Sequence, residues 1–282
     1  MYIFVSKYDI GVSGCLYVLN RRESSVITII TSTLDSLFLL KHTADSIFMQ
    51  GLKDWQWIIV DGNSSDGTKA WLEEIAGMRM NVEFISEPDQ GIYDAWNKAL
   101  PLVHGAWVIF LGAGDKLKNQ DVLQDCSRYL EEISSEINLA YGSVEYIRDI
   151  EDSSGALSPA RWEGIEGKWA WCRPILPNHQ GVFHRRSFLA SENGFDTTYR
   201  IAADTAMILP ELMRNGAVEM PLCITLRVHE GLSLDTRNRV KVLFEIMRIN
   251  RSVGLGGRRI VYQYAAFIYH VVRHRLLGKL LF

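Results

Sequence analysis

The sequence predicts an α/β domain built on a mostly parallel sheet with helices on both faces. Short runs rich in Val and Ile are typical of fully buried strands, and they alternate with helical segments at regular spacing. Turns rich in glycine and acidic residues follow several of these strands directly. The 282 residues are 48% apolar, which is enough for one large domain with a hydrophobic core. Strands that alternate with helices favour parallel pairing, because each crossover helix returns the chain to the same edge of the sheet.

Four strands separated by three helices are predicted in the first part of the chain. The strands are β-branched or otherwise apolar throughout, as expected where both faces of a sheet are covered. The predicted elements are a strand at Val26–Thr31, a helix at Leu37–Met49, a strand at Trp55–Val60, a helix through Trp71 and Ile75, a strand at Val82–Ile85, a helix at Tyr93–His104 and a strand at Trp107–Leu111.

The second part of the chain is less regular. A glycine-rich, weakly patterned segment from Glu151 to Trp171 is predicted to be a long loop over the edge of the sheet where ligands bind in this fold class. The other predicted elements are a helix at Val122–Ile133, a strand at Leu139–Ile147, a strand at Val182–His184, a helix at Thr205–Asn215 and a strand at Ile224–Val228.

Charge divides the chain into an acidic body and a basic tail. The net charge is −3, but residues 237–282 contain ten Lys and Arg against the single acidic residue Glu245, so the remainder carries −12. We therefore predict a leader of unclear role at 1–25, a main α/β domain at 26–236 and a basic amphipathic helical tail at 237–282. The tail helices either dock on the domain or lie on an anionic membrane surface, and the charge favours the membrane.

Membrane-spanning and metal-cluster signals are weak in this sequence. No run reaches the roughly 18–20 apolar residues that would span a bilayer. The four cysteines are scattered without a Cys-x-x-Cys pair, which indicates a reducing cytosol and no zinc site. Nucleic-acid binding is disfavoured because the basic residues lie on an apolar tail without a recognised binding motif.

Acidic residues recur at the carboxyl ends of the predicted strands. Asp61, Glu87, Asp89 and Asp115 each follow a strand, and Asp204 precedes a helix in the second part. Ligands bind at this edge in open α/β sheets, and a carboxylate there suits a hard divalent cation that holds phosphate oxygens. Taken singly, each residue is equally typical of a turn or a helix cap.

Four motifs in succession carry a resemblance to a known family. They are Ile29-Ile-Thr-Ser-Thr-Leu-Asp35, Val60-Asp61-Gly-Asn-Ser-Ser-Asp66-Gly67-Thr68, Ser86-Glu87-Pro-Asp89-Gln-Gly91-Ile-Tyr93 with Asn97-Lys98, and Phe110-Leu111-Gly-Ala-Gly-Asp115. Together, over roughly Val26 to Ser233, the sequence resembles a family 2 glycosyltransferase of the GT-A, or nucleotide-diphospho-sugar transferase, fold. The branch that it resembles most makes bacterial surface polysaccharides such as capsule and O-antigen.

The resemblance implies roles for individual residues. Asp204 corresponds to the catalytic base. Asp115 corresponds to the last acidic position of the metal-binding motif, with His229 as a further metal ligand. The residues implied in donor binding are Thr31, Thr33, Asp35, Asp61, Glu87, Asp89, Gly91, Tyr93, Asn97 and Lys98, and those implied in acceptor or diphosphate contacts are His179, Gln180, Trp169 and His229.

The implied activity is inverting transfer of a sugar from a nucleotide-diphospho-sugar to a hydroxyl of a lipid-linked saccharide acceptor. Mg²⁺ or Mn²⁺ would be the cofactor, and the enzyme would sit peripherally at the cytoplasmic face of a bacterial membrane. Gly112 and Gly114 depart from the family pattern, in which these positions often carry carboxylates or amides. This departure motivates an alternative, a degenerate nucleotide-sugar-binding or scaffold protein. A sugar-nucleotide pyrophosphorylase is disfavoured because residues 30–35 lack a glycine-rich phosphate loop.

Overall fold

The structure of the protein is a computed structural model that describes residues 27–158, 160–170, 172–228, 238–256, 261 and 264–265. The predicted leader at 1–25 lies outside the described residues, as does most of the predicted tail beyond its first helix. Within the described ranges, none of the helices combines the length and the apolar character needed to cross a bilayer.

The elements follow the predicted alternation through the first part of the chain and continue beyond it. In chain order the strands are β1 (Ile27–Thr33), β2 (Trp55–Asp61), β3 (Val82–Ser86), β4 (Trp107–Gly112), β5 (Lys116–Leu117), β6 (Leu139–Ile147), β7 (Ala156–Leu157), β8 (Trp169–Ala170), β9 (Arg173–Pro174), β10 (Val182–Arg185) and β11 (Val218–Val228). The helices are α1 (Leu37–Phe48), α2 (Thr68–Met78), α3 (Ile92–Ala99), α4 (Val122–Glu131), α5 (Arg186–Ser191), α6 (Ala203–Arg214) and α7 (Arg239–Ser252).

Residues 27–115 form the parallel half of the sheet. Its strands lie in the order β3-β2-β1-β4, and all three pairings are parallel. The register places Thr33 opposite Asp61, and Asp61 opposite Ser86. The carboxyl ends of these strands therefore meet at one edge, as the sequence predicts.

Residues 116–228 form the mixed half of the sheet, where parallel pairing is no longer the rule. The order continues as β10-β6-β11-β5, with β10 antiparallel to both β4 and β6. Strands β6 and β11 are parallel to each other, whereas β5 pairs antiparallel with β11 and β7 pairs antiparallel with β6. The mostly parallel arrangement is thus confined to the first half. Because β10 is reversed, the segment that precedes it reaches the carboxyl edge of β4.

Helices cover both faces of the sheet, as the sequence predicts. Ile29 and Ile30 are adjacent in β1 but belong to different apolar cores, because side chains alternate across a strand. One core is packed by α1, α2 and α4, and the other by α3, α5, α6 and α7.

The first predicted tail helix, α7, packs on the body of the protein. Its inner side buries four apolar side chains in the core that α3 and α6 share, namely Val242, Leu243, Ile246 and Ile249. Phe244 is 64% exposed and Met247 40% exposed on its outer side. The tail had two predicted alternatives, docking on the domain or lying on a membrane. The inner side of α7 docks on the domain.

Several boundaries differ from the sequence prediction. Helix α3 ends at Ala99 instead of His104, and a 3-10 turn containing Pro101 follows, because proline lacks the N–H that would continue the helix. Helix α6 begins at Ala203, so Asp204 lies inside its first turn. The predicted loop at 151–171 contains β7 and β8 among its described residues, and α5 and β5 were not predicted.

Candidate active site at the carboxyl edge of the sheet

A cavity of about 880 Å³ opens at the edge where the parallel strands end. Its lining comes from both halves of the sheet and from the segments that precede β10 and α6. The polar side chains among the lining residues are Ser32, Thr33, Ser36, Tyr93, Asp115, Tyr146, Arg173, Asn178, His179, Gln180, Arg200, Asp204 and Arg227. Asp115 and Asp204, which are 89 positions apart in the chain, therefore share one cavity.

Asp115 is held by a tight glycine turn after β4. The Gly112 N–H donates to Asp115 Oδ2 at 2.7 Å, and the Asp115 N–H donates to the Gly112 carbonyl at 3.0 Å. A Cβ on Gly112 would lie 3.2 Å from Asp115 Oδ2, and Gly114 has a φ of +99°. The two glycines that depart from the family pattern therefore allow the backbone to bind this carboxylate closely.

The electrostatic surroundings of Asp115 combine burial with a nearby guanidinium group. Burial raises the pKa of its carboxyl group, and the nearby Arg227 guanidinium opposes that shift. Arg227 Nε lies 3.9 Å from Asp115 Oδ1. The described residues contain no group of three or more His, Cys, Asp or Glu side chains placed to hold a metal. A single carboxylate nevertheless suits Mg²⁺, which usually takes one or two protein carboxylates and completes its shell with substrate phosphates and water.

Asp204 lies in the first turn of α6, where the helix dipole stabilises a negative charge. Its Oδ1 accepts the Thr205 N–H at 2.7 Å and lies 3.3 Å from the hydroxyl of Tyr93. The Tyr93 hydroxyl also donates to the Ile201 carbonyl at 2.7 Å. Burial and the charge of Asp204 raise the pKa of Tyr93 well above its ordinary value, so the phenol stays protonated and can donate.

Three arginines that the sequence analysis did not single out line the cavity. They are Arg173, Arg200 and Arg227. Burial lowers the pKa of the Arg173 guanidinium, and the charge of Asp204 opposes that shift. Arginine still remains protonated in proteins, and its planar fork suits phosphate oxygens. The sequence signal for Arg227 was its place near the end of a strand. Arg173 lies in the two-residue strand β9 and Arg200 in an irregular segment, and neither belongs to a motif.

His179 lines the cavity and contacts a second buried histidine. Its Nε2 lies 3.1 Å from Nε2 of His184, so one ring donates to the other. Burial lowers the pKa of His179 to about 4, and burial together with the neighbouring His179 lowers the pKa of His184 well below its ordinary value. Phe110 stacks on the His179 ring, with Trp96 and Phe195 also in contact. Both imidazoles are therefore neutral near pH 7.

Gln180, predicted with His179, also lines the cavity. Its Oε1 accepts a hydrogen bond from Arg227 Nη1 at 3.0 Å. Trp169 does not line the cavity, and its indole N–H donates to the Ile165 carbonyl. His229, the further candidate for metal and acceptor contacts, lies outside the described residues.

The predicted donor residues of β1 and β2 occupy different positions at the edge. Thr33 lines the cavity, whereas Thr31 is buried and its hydroxyl accepts the Trp57 indole N–H. Asp35 accepts the Ser65 N–H at 2.7 Å. Asp61 is 0% exposed and its oxygens accept from Ser64 and from the Ser86 hydroxyl. Asp61 therefore fixes the loop after β2 and does not line this cavity.

The predicted donor residues around α3 bind mainly to one another. Asp89 accepts the Gly91 N–H at 2.8 Å. Lys98 lies 3.1 Å from Glu87. Asn97 makes two hydrogen bonds with the backbone of Phe195. Of the predicted donor residues on this segment, Tyr93 is the one that lines the cavity.

Comparison with known sequences identifies relatives of the chain. The family model of Glycosyl transferase family 2 matches residues 28–163. A PGL/p-HBAD biosynthesis glycosyltransferase of Mycobacterium bovis (strain BCG / Pasteur 1173P2) is 32% identical over 184 residues, which are 64% of this chain and 66% of that protein. TuaG of Bacillus subtilis (strain 168), a putative teichuronic acid biosynthesis glycosyltransferase, is 32% identical over 111 residues, or 39% and 43% of the two chains. This chain thus spans just under two thirds of its mycobacterial relative.

Solved structures with the same architecture confirm the fold. S. aureus TarS 1-349 in complex with UDP superposes with a TM-score of 0.60 at 15% identity, covering 88% of this chain and 71% of TarS 1-349. Mannosyltransferase PcManGT from Pyrobaculum calidifontis, in complex with GDP-Man and Mn²⁺, gives 0.55 at 16% identity and covers 90% and 78%. At these identities the likeness establishes the GT-A fold and no further property.

Proposed function

This chain belongs to glycosyl transferase family 2, and from that premise we propose that it transfers a sugar from a nucleotide-diphospho-sugar to a hydroxyl of a saccharide acceptor. The observation that carries the proposal is the shared cavity of Asp115 and Asp204, which also contains three arginines. One carboxylate can bind a cation, the other can accept a proton, and the guanidinium groups can bind phosphates. The proposed reaction requires all three.

The diphosphate of the donor would be held near Asp115, Arg227 and Gln180. Arg227 already contacts the other two residues, at 3.9 Å from Asp115 and 3.0 Å from Gln180, so its guanidinium is oriented before a ligand arrives. A divalent cation bound at Asp115 would supply Lewis-acid stabilisation of the charge on the leaving diphosphate. UDP in TarS and GDP-Man with Mn²⁺ in PcManGT support a nucleotide donor and such a cation.

Asp204 would be the general base of the reaction. Its carboxylate accepts the proton of the acceptor hydroxyl as that oxygen attacks the anomeric carbon from the side opposite the diphosphate, which inverts the configuration. The Tyr93 hydroxyl, 3.3 Å from Asp204 Oδ1, orients this carboxylate. The neutral ring of His179 offers a further hydrogen-bonding group to either sugar without adding charge.

The relatives and the tail support a proposal for the cellular setting. The relatives named for PGL/p-HBAD and teichuronic acid biosynthesis support a role in assembling bacterial glycans, for which we propose a lipid-linked acceptor. On α7, Phe244, Met247 and Lys241 are exposed on the side away from the core. Such a surface suits the anionic inner leaflet of the cytoplasmic membrane, where each Lys or Arg contributes about 1 kcal/mol.

A panel of UDP-, GDP- and dTDP-sugars with simple acceptors tests the proposed activity. We expect nucleoside diphosphate release in Mn²⁺ and NMR signals of the inverted anomer for at least one donor. Calorimetry with and without Mn²⁺ should show metal-dependent nucleotide binding that Asp115→Ala weakens about tenfold or more, or about 1.4 kcal/mol. Asp125→Asn, on the surface of α4, is the control. Metal-dependent binding without turnover of any donor would instead favour the degenerate binding protein.

A further inference from the structure

Glu245 is the single acidic residue in the basic stretch 237–282, and it binds the backbone of one turn, residues 200–202. It lies on α7, and its carboxylate accepts three consecutive backbone N–H groups. The distances are 2.9 Å from Arg200, 3.0 Å from Ile201 and 2.8 Å from Ala202. Hydrogen bonds from N–H groups to an ionised carboxylate are stronger than those between neutral groups, so this contact fixes the turn firmly.

The turn at 200–202 leads directly into the helix that carries Asp204. Ala202 is the N-cap residue of α6, and alanine has no side-chain oxygen to bind the backbone there. Glu245 binds the Ala202 N–H from another helix, much as a glutamate in a capping box binds the N-cap N–H of its own helix. The start of α6 is therefore organised by α7.

The same turn is connected to the proposed general base by a second route. The Ile201 carbonyl accepts the Tyr93 hydroxyl, which also lies 3.3 Å from Asp204 Oδ1. Arg200 and Ile201 line the cavity themselves. A shift of the turn would move Asp204 through the backbone of α6 and would also remove the partner that holds Tyr93 in place.

Helix α7 supports the cavity wall at another point as well. Asn250 Nδ2 donates to the carbonyl of Cys172, the residue before Arg173, at 2.8 Å. Arg248 pairs with Asp196 and lies over the ring of Tyr199, without contacting the 200–202 turn. Helix α7 thus reaches two separate wall segments, and Glu245 is the contact nearest to the proposed base.

We propose that Glu245 is a positioning residue, whose carboxylate holds the 200–202 turn so that Asp204 and Tyr93 meet the acceptor hydroxyl correctly. The inference rests on the proposed transfer reaction. It makes the first helix of the tail a part of the catalytic unit. A small displacement of a reacting group can cost about 100-fold in rate, so the effect should appear in kcat.

Glu245→Gln tests this inference because it keeps the side-chain size but removes one acceptor oxygen and the charge. We expect kcat to fall about 10- to 100-fold, while KM and the dissociation constant for the donor change less than about twofold. Hydrogen–deuterium exchange at residues 200–202 should speed up. Arg248→Gln is the matched control, because it also loosens α7 but leaves the three N–H bonds intact, and its kcat should stay near wild type.

The outcomes separate this inference from the proposed function. An active wild-type protein whose Glu245→Gln variant keeps its kcat and its slow exchange overturns the positioning role alone. Equal losses of kcat in Glu245→Gln and Arg248→Gln would reduce Glu245 to a general anchor of α7 and also overturn it. A wild-type protein without turnover overturns the proposed function itself. If Glu245→Gln does not fold, Glu245→Asp, one methylene shorter, is measured in the same way.

Discussion

In the parallel half of the sheet, most carboxylates predicted to bind the donor are bound by the protein itself, whereas the mixed half presents its charged groups to the cavity. Asp61 is fully buried and hydrogen-bonded, and Asp89 closes its own turn. In the mixed half, Arg173, Asp204 and Arg227 line the cavity. The difference shows that an acidic residue at a strand end can hold the loops around a site by hydrogen bonds, instead of contacting the ligand.

Among the substitutions that test this difference between the two halves, the largest effect is expected at Asp204. Asp204→Asn removes the proton acceptor but keeps the shape of the side chain, so kcat should fall about 10²- to 10⁴-fold. Nucleotide affinity, measured by calorimetry, should stay near wild type because the proposed diphosphate contacts lie elsewhere in the cavity. Turnover close to wild type in this variant would exclude Asp204 as the base.

The next effect concerns the histidine pair of the mixed half and its dependence on pH. The pKa of His179 is about 4 in the folded protein and about 6.5 when unfolded, so the unfolded chain binds the additional proton between these values. The free energy of unfolding should therefore fall as the pH drops from 6.5 to 4, by about 3 kcal/mol for this group alone. It should be recovered fully above pH 6.5.

Removing one imidazole tests that explanation. His184→Phe deletes a buried histidine whose pKa is also lowered, so the loss of stability toward pH 4 should be smaller than in the wild type. Urea unfolding at several pH values measures both slopes. Identical slopes in the two proteins would show that other groups control the acid response.

The smallest expected effect belongs to the parallel half, at Asp61. Asp61→Asn keeps the side-chain size but loses charge and an acceptor oxygen where Ser64 and Ser86 donate. We expect the free energy of unfolding without nucleotide to fall by about 1–3 kcal/mol. The same change at Asp204 should cost less stability, because Asp204 is only partly buried. If Asp204→Asn lost more stability than Asp61→Asn, the proposed difference between the two halves would be contradicted.

The parallel half was largely predictable from the sequence because its signals are local. Each strand is an apolar run followed by a turn, and β1 to β4 match the prediction within about two residues at each end. Strand β6 was also predicted with its observed bounds, Leu139–Ile147. In the mixed half the elements were partly found, but their directions were not. The reversal of β10 depends on pairing with β4 and β6, which are distant in the sequence.

The candidate site was predictable only where a motif was present. Asp115, Asp204, His179 and Tyr93, to which the resemblance assigned roles, line the cavity, and those roles stay predictions. Arg173 and Arg200 had no local signal, because an isolated arginine looks the same on a surface and in a phosphate site. Glu245 was visible only as an exception to a basic stretch. Its function depends on a contact with residue 200, 45 positions earlier in the chain.

The packing of α7 has a practical consequence for how the protein is divided. The sequence placed the end of the catalytic domain at residue 236, before this helix begins. A protein shortened to that boundary would uncover the apolar surface that Val242, Leu243, Ile246 and Ile249 now cover, and newly exposed patches of this kind promote aggregation. Production of a stable, shortened protein should therefore retain the chain through at least Ser252.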